Sequence, residues 1–290
     1  MYTTRPADFA YHRPSSVSEA VALLGDGETR PLAGGHSLLP LMKLHVTSPP
    51  ALVDLGGIPG LDAIEGDAHS VTIGAMATHE AVADSGAVLA ACPVLADAAA
   101  GIGDRQVRNR GTIGGSVAHA DPGADYPTVL TALGATIVVT GPGGDREIGA
   151  DDFFTGIFMT ALEPGELVTA VRVPGTPPGT GAAYVKRKHP ASGYAVAGAA
   201  AVVAVDGRTC TSARVAVGGV TGTPVRATAA EQALTGSTLS AEAIASATGE
   251  VAGALTGDLV GDSFASGEYR VHLAGVLARK AITGAAAQAG

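Results

Sequence analysis

Cysteine is nearly absent from this 290-residue sequence and tryptophan is missing altogether. The two cysteines, Cys92 and Cys210, stand far apart in apolar surroundings and read as buried thiols. Two thiolates cannot hold an iron–sulfur cluster, which ordinarily takes four, or a cysteine-rich zinc site. Any such centre must belong to a partner. Basic residues are also scarce: 18 Lys and Arg face 27 Asp and Glu, for a net charge of −9, which argues against a nucleic-acid footprint. The two basic clusters, Arg105-Arg108-Arg110 and Lys186-Arg187-Lys188, are short enough to be solvated surface. Long hydrophobic runs are missing too. The longest, YAVAGAAAVVAV at 194–205, is well short of the ~20 residues of a membrane span. No integral membrane span is expected. The N-terminus shows no basic region followed by an apolar core, so no export signal is expected. A cytoplasmic location is the default, with peripheral attachment at the inner face of the membrane as a variant.

What is present is glycine, 41 residues of it, and periodic apolar segments that imply a proper core. Ser16-Val17-Ser18-Glu19 has capping-box spacing, so a short helix is expected from Val17 to about Gly25. RPLA at 30–33, ALVDL at 51–55 and VTIGA at 71–75 read as strands. Helices are expected at 79–85, 93–100 and 126–133, and a strand at 135–140. At 173–181, VPGTPPGTG has the composition of a linker. Beyond it AYVKRK, AVAGAAAVVAV and SARVAVGGV read as three antiparallel strands, followed by helical segments around 227–235, 240–254 and 268–282.

Two segments place a Gly-Gly pair beside a hydroxyl residue: AGGHS at 33–37 and TIGGS at 112–116. Each alone is compatible with a plain turn. Brought together, they could present main-chain N–H groups to the two phosphates of a dinucleotide, with Ser37, Thr112 and Ser116 adding side-chain bonds. No G-x-G-x-x-G follows a strand, so a Rossmann-type site is excluded. No nucleophile–base pair or metal-ligand set stands out, and His36 has no partner at ligand spacing. No catalytic or metal-ligating residue is therefore assigned.

The order PLAGGHSLLPLMK, LVDL, IGAMATH, QVRNRGTIGGSVAHADPGADYP, EPGELVTAVRVP resembles the FAD-binding medium subunits of the molybdenum hydroxylases, the xanthine dehydrogenase family. GEYRVHLAGVLARKA at 267–281 is similar to the last helix of that family's C-terminal domain, so the resemblance spans nearly the whole chain. Aerobic carbon monoxide dehydrogenase is the branch it most resembles. The implied fold is α+β. A two-lobed FAD-binding domain of the vanillyl-alcohol-oxidase/PCMH type is expected at residues 1–176, with lobes of about 1–57 and 58–176. A small antiparallel sheet with helices on one face is expected at 181–286.

The resemblance implies that Ala33, Gly34, Gly35, His36 and Ser37, with Thr112, Ile113, Gly114, Gly115 and Ser116, hold the FAD diphosphate. It places Asp125 on the adenosine side, where it could otherwise serve as a helix N-cap, and Val168 near the flavin or adenine, where it could otherwise be a core strand residue. Lys186 is expected beside the isoalloxazine or, failing that, in solvent. Tyr194 is expected against one face of the ring, although Gly193 stands where some relatives carry an acidic residue. The implied partners are an iron–sulfur small subunit with two 2Fe–2S clusters and a large subunit with the molybdenum cofactor, as a dimer of heterotrimers. The implied acceptor is a quinone or another oxidant. The same subunit in an aldehyde, purine or N-heterocycle hydroxylase, a self-contained flavin oxidase, and a non-enzymatic nucleotide-binding module are the competing readings.

Overall fold

The computed structural model describes residues 5–25 and 27–290. The first four residues of the expected N-terminal lobe lie outside that set. Strands β1 (Ala10–His12), β2 (Arg30–Leu32) and β3 (Ala51–Asp54) form a parallel sheet in the order β1-β3-β2. Parallel strands need crossover connections, and the helices Val17–Leu23 and Leu38–Lys43 lie in them. Ser16 accepts the Glu19 N–H at 3.2 Å, and the Glu19 carboxylate reaches back to the Ser15 N–H at 2.8 Å, a capping box displaced by one residue. In Leu38–Lys43 the proline is the third helical residue, where its missing N–H would have had no intrahelical partner.

The second sheet is antiparallel. It contains β4 (Ile64–Gly66), β5 (Ser70–Gly74), β6 (Thr136–Gly141), β7 (Gly144–Gly149) and, beyond a hairpin of β8 (Phe154–Gly156) and β9 (Met159–Thr160), β10 (Leu167–Pro174). The order is β4-β5-β10-β6-β7. The last strand is thus inserted at the centre, where Val171 faces Ile73 on one side and Ile137 on the other. These three side chains share a core with Leu95, Tyr126 and Leu130 from the covering helices.

The third sheet is a meander of β11 (Thr180–Lys188), β12 (Ala195–Asp206), β13 (Thr209–Gly218) and β14 (Val225–Arg226), antiparallel throughout as expected. Its own helices, chiefly Thr228–Leu234 and Gly267–Ala289, lie on one face. There Ala199, Ala201 and Val203 of β12 pack with Leu234, Ala278 and Ile282. Ala200 and its register partner Ala216 belong instead to the core that contains Leu130. The helix Asp125–Leu133 of the N-terminal half therefore covers the other face. This explains the unbroken apolar run at 195–205: β12 is buried on both sides, so the usual alternation disappears. A Cβ on Gly218 would lie 1.9 Å from the Thr128 hydroxyl, a measure of how closely the two halves fit.

Candidate functional site

The segment Ala33–Ser37 emerges from the carboxyl end of β2, the end of a parallel strand at which open sheets bind ligands. Gly35 adopts φ +76°, a conformation that any side chain would strain. Among the described residues, the main-chain N–H groups of Gly34, Gly35, His36 and Ser37 find no acceptor. All four residues line a cavity of about 840 Å³. Four unpaired donors bending around one glycine form an anion-binding concavity.

The second glycine segment is not a loop. Thr112 is the N-cap of the helix Ile113–His119, its hydroxyl accepting the Gly115 N–H at 3.1 Å. The Ile113 and Gly114 N–H groups donate to the carbonyls of Ala77 and Ala75, at 3.0 and 2.9 Å. Four of its five amides, those of Ile113 to Ser116, are thus already paired inside the protein, and most of the free donors belong to the first segment. The glycines here serve packing. A Cβ on Gly114 would sit 2.4 Å from that of Ala75, and one on Gly34 would sit 2.1 Å from the Arg110 carbonyl oxygen. Gly34 thereby lets the first segment close on the Arg110-Gly111 backbone that leads into the second, and Gly114 seats the second segment's helix on Ala75.

Twelve of the fourteen residues expected at the site line the cavity: Ala33, Gly34, Gly35, His36, Ser37, Thr112, Gly114, Gly115, Ser116, Asp125, Val168 and Tyr194. Ile113 does not, being fully buried in the core beneath. Lys186 does not line it either, nor is it solvated. Its ammonium is buried 2.6 Å from Asp125 Oδ2 and donates to the Gly193 carbonyl at 3.1 Å. Asp125 is the first residue of its helix rather than the N-cap, which is Ala124. Its other oxygen accepts the Tyr184 hydroxyl at 2.5 Å. Burial pushes the Asp125 carboxyl up, and the Lys186 and Tyr184 contacts work against that rise. Tyr194 is two-fifths exposed, and its hydroxyl lies against Ser37. Val168 is buried on β10 beside a bulge, so both roles considered for it are compatible with its position.

Several wall residues were not assigned to the site from the sequence. His79 is buried, its ring held by the Tyr126 hydroxyl at 3.2 Å, and burial pushes its pKa down to about 4. The Glu163-Pro164-Gly165-Glu166 turn closes one side of the cavity, with Glu166 clamped by Arg146 through two bonds of 2.7 Å. Phe158, at the tip of the β8–β9 hairpin, closes another side and packs on His119 with 5.0 Å between ring centroids. His79 lies inside a stretch, IGAMATH, that the family resemblance already covered. The hairpin tip had no such pointer.

An anion-binding segment in a cavity of about 840 Å³, walled by both glycine segments, is a nucleotide site on an α+β scaffold. Residues 7–176 match the family described as the FAD binding domain in molybdopterin dehydrogenase, and residues 182–285 match the CO dehydrogenase flavoprotein C-terminal domain. The chain belongs to this family of FAD-binding oxidoreductase subunits. It is 43% identical to the carbon monoxide dehydrogenase medium chain of Afipia carboxidovorans, over 98% of this chain and 99% of that one. It is 39% identical to the nicotine 6-hydroxylase medium subunit of Paenarthrobacter nicotinovorans, over 96% and 97%. The solved carbon monoxide dehydrogenase of Hydrogenophaga pseudoflava superposes with a TM-score of 0.94 at 42% identity, covering 98% of this chain and 99% of that one. The cavity fits FAD: its volume lies toward the upper end of the ~300–1,000 Å³ of small-molecule sites and its four unpaired amides suit a diphosphate.

Proposed function

We propose that this chain is the electron-relay subunit of a carbon monoxide dehydrogenase. It would receive electrons from two 2Fe–2S clusters on a small partner and pass them to a quinone. The small subunit and a large subunit with the molybdenum cofactor would complete the enzyme as a dimer of heterotrimers. FAD, when bound, can accept electrons singly and release them in pairs. The chain's own residues do the rest. Gly34, Gly35, His36 and Ser37 donate to the diphosphate through their unpaired amides. Thr112, Gly114, Gly115 and Ser116 supply a rigid wall, with Ile113 anchored in the core beneath, because their helix is already capped and seated. Asp125 is held in place for the adenosine ribose. Val168 contributes apolar surface, and Tyr194 covers one side of the ring.

Lys186 acts through Asp125 and Gly193 rather than on the ring itself, since it lies behind the cavity wall. The division into a FAD-binding domain at 1–176, with lobes of about 1–57 and 58–176, and a C-terminal domain at 181–286 follows the sheet boundaries. A cytoplasmic location, with attachment at the inner membrane face, suits the quinone. No described helix is long and apolar enough to cross a membrane.

The observation that carries this reading is the row of unpaired amides at Gly34–Ser37 facing a cavity of about 840 Å³. The test is flavin stoichiometry. The purified full-length chain, or the chain reconstituted with FAD, should hold about one flavin. A colourless chain that takes up none would end the proposal. A second reading, that the chain serves an N-heterocycle hydroxylase, is supported by its 39% identity to the nicotine 6-hydroxylase medium subunit. The assembled complex separates the two by which substrate bleaches the flavin.

A further inference from the structure

His79 is only 5% exposed, yet it lines the large cavity. It opens the helix His79–Asp84, which the Thr78 hydroxyl caps, and its own N–H donates to the Gly111 carbonyl at 2.9 Å. The backbone on both sides therefore fixes where the ring stands. At Nδ1 the ring meets the Tyr126 hydroxyl at 3.2 Å. Tyr126 is completely buried, and among the described residues its hydroxyl finds no acceptor other than this nitrogen. A buried hydroxyl that donates to nothing is costly, so its hydrogen points to Nδ1, and Nδ1 carries no proton. Burial above all, with the neighbouring charges of His36 and Arg108, lowers the pKa of the ring to about 4. At neutral pH the imidazole is uncharged, and its single proton stands on Nε2.

No described residue accepts that proton. The Glu80 carboxylate, one residue further on, is committed to Arg108 at 2.7 Å. Among the described residues the only fully enclosed side-chain polar atom without a partner is the Thr131 hydroxyl, so Nε2, which also lacks one, is open to the cavity. Glycine makes the opening. A Cβ on Gly111 would fall 2.6 Å from Nε2 and 2.9 Å from Cδ2, so any larger residue there would cover this edge of the ring. Gly111 also adjoins the first glycine segment, since a Cβ on Gly34 would lie 2.8 Å from the Gly111 Cα. The imidazole N–H thus opens beside the segment whose four amides are unpaired.

We infer that His79 is a further FAD-binding residue: its neutral imidazole, held in one tautomer by Tyr126, donates the Nε2 proton to an oxygen of the diphosphate. Nitrogen donors from main chain and side chain then converge on one anionic group, the arrangement in which hydrogen bonds are strongest. Tyr126 is a positioning residue, reaching the ligand only through the ring. Gly111 keeps the donor uncovered. The inference rests on the flavin reading above and deepens it by a residue that neither glycine segment contains.

Two measurements on the full-length chain test it. Isotope-edited NMR of the ring nitrogens should show His79 protonated at Nε2 and bare at Nδ1 before FAD is added, and FAD should move the Nε2 signal and its proton. A proton on Nδ1, or an Nε2 signal that FAD leaves in place, would overturn the inference. Flavin titration then compares variants. His79→Leu should raise the FAD Kd about tenfold or more, as expected for a lost hydrogen bond to a charged group. His79→Gln keeps an N–H donor of similar reach and should stay within about threefold of wild type. Wild-type affinity in His79→Leu would overturn the assignment, and so would equal weakening by leucine and glutamine, which would make the residue a packing element. If His79→Leu does not fold, the spectra of the wild type and the affinity of His79→Gln still decide. A wild-type chain that takes up no FAD, with the Nε2–H tautomer in place, would instead bring down the flavin reading beneath the inference.

Discussion

Lys186 Nζ lies 2.6 Å from Asp125 Oδ2 and also holds the carbonyl oxygen of Gly193, next to Tyr194. One buried ammonium thus joins the C-terminal sheet to the first residue of the helix Asp125–Leu133 and fixes the loop that carries the tyrosine. Both charges are almost wholly withdrawn from solvent, at 6% and 4% side-chain exposure, so their pairing is structural as much as electrostatic.

Removing one member of such a pair leaves the other charge buried without compensation, which costs about 3–5 kcal/mol. Lys186→Ala should therefore lower the denaturation midpoint sharply, and Asp125→Asn in the same background should restore part of the loss. Urea unfolding of the single and double variants checks this. A midpoint unchanged by Lys186→Ala would show that the pair contributes nothing to holding the halves together.

Gly35→Val and Gly115→Val should each abolish FAD retention while far-UV circular dichroism stays near wild type. At Gly35 the cause is backbone: φ +76° costs an L-residue about 1–2 kcal/mol and re-aims the unpaired amides. At Gly115 the added Cβ would fall 2.8 Å from the Thr112 hydroxyl and 3.5 Å from the Ala33 Cβ. The first contact breaks the helix cap, worth about 1 kcal/mol, and the second leaves no room for the valine methyl groups beyond the Cβ on the side of Ala33. Full FAD content in both variants would make these ordinary turn glycines.

Stability should fall on acidification partly through His79. Burial lowers its pKa from 6.5 to about 4, so the folded state favours the neutral ring. The contribution is complete above pH 6.5 and is lost as pH drops toward 4. Such a shift corresponds to roughly 3 kcal/mol. Chemical denaturation between pH 7.5 and 4 should show this slope in the wild type and a flatter one in His79→Gln. Parallel curves would remove His79 from the account.

The flavin should be held without a covalent bond. Neither cysteine lines the cavity, and both are buried elsewhere. His36 sits among the unpaired amides proposed to hold the diphosphate. Acid precipitation should release all the flavin into the supernatant, and a yellow pellet would contradict this.

Much of this was legible in the sequence because it is written in local chemistry. The capping box at Ser16, the alternating strands and the two Gly-Gly segments are decided within a few residues. The second segment alone is compatible with a turn rather than a helix, because glycine pairs disfavour helices in isolation. Here tertiary packing overrides propensity: only a glycine at 114 lets the helix sit on Ala75. The partner of Lys186 was invisible for a different reason. Asp125 is 61 residues away, and only the docking of the C-terminal sheet on the helix Asp125–Leu133 brings them together. The β8–β9 hairpin was missed because its strands are three and two residues long, too short to show a period.

The most direct test of the relay follows the flavin spectrum of the FAD-loaded chain under anaerobic carbon monoxide, first alone and then with the iron–sulfur and molybdenum partners. Dithionite should bleach the flavin in both settings. Carbon monoxide should leave it oxidised in the isolated chain, whose two cysteines cannot house a cluster, and bleach it once the partners are added. Bleaching by carbon monoxide in the chain alone would contradict the relay and make this subunit a self-contained oxidase.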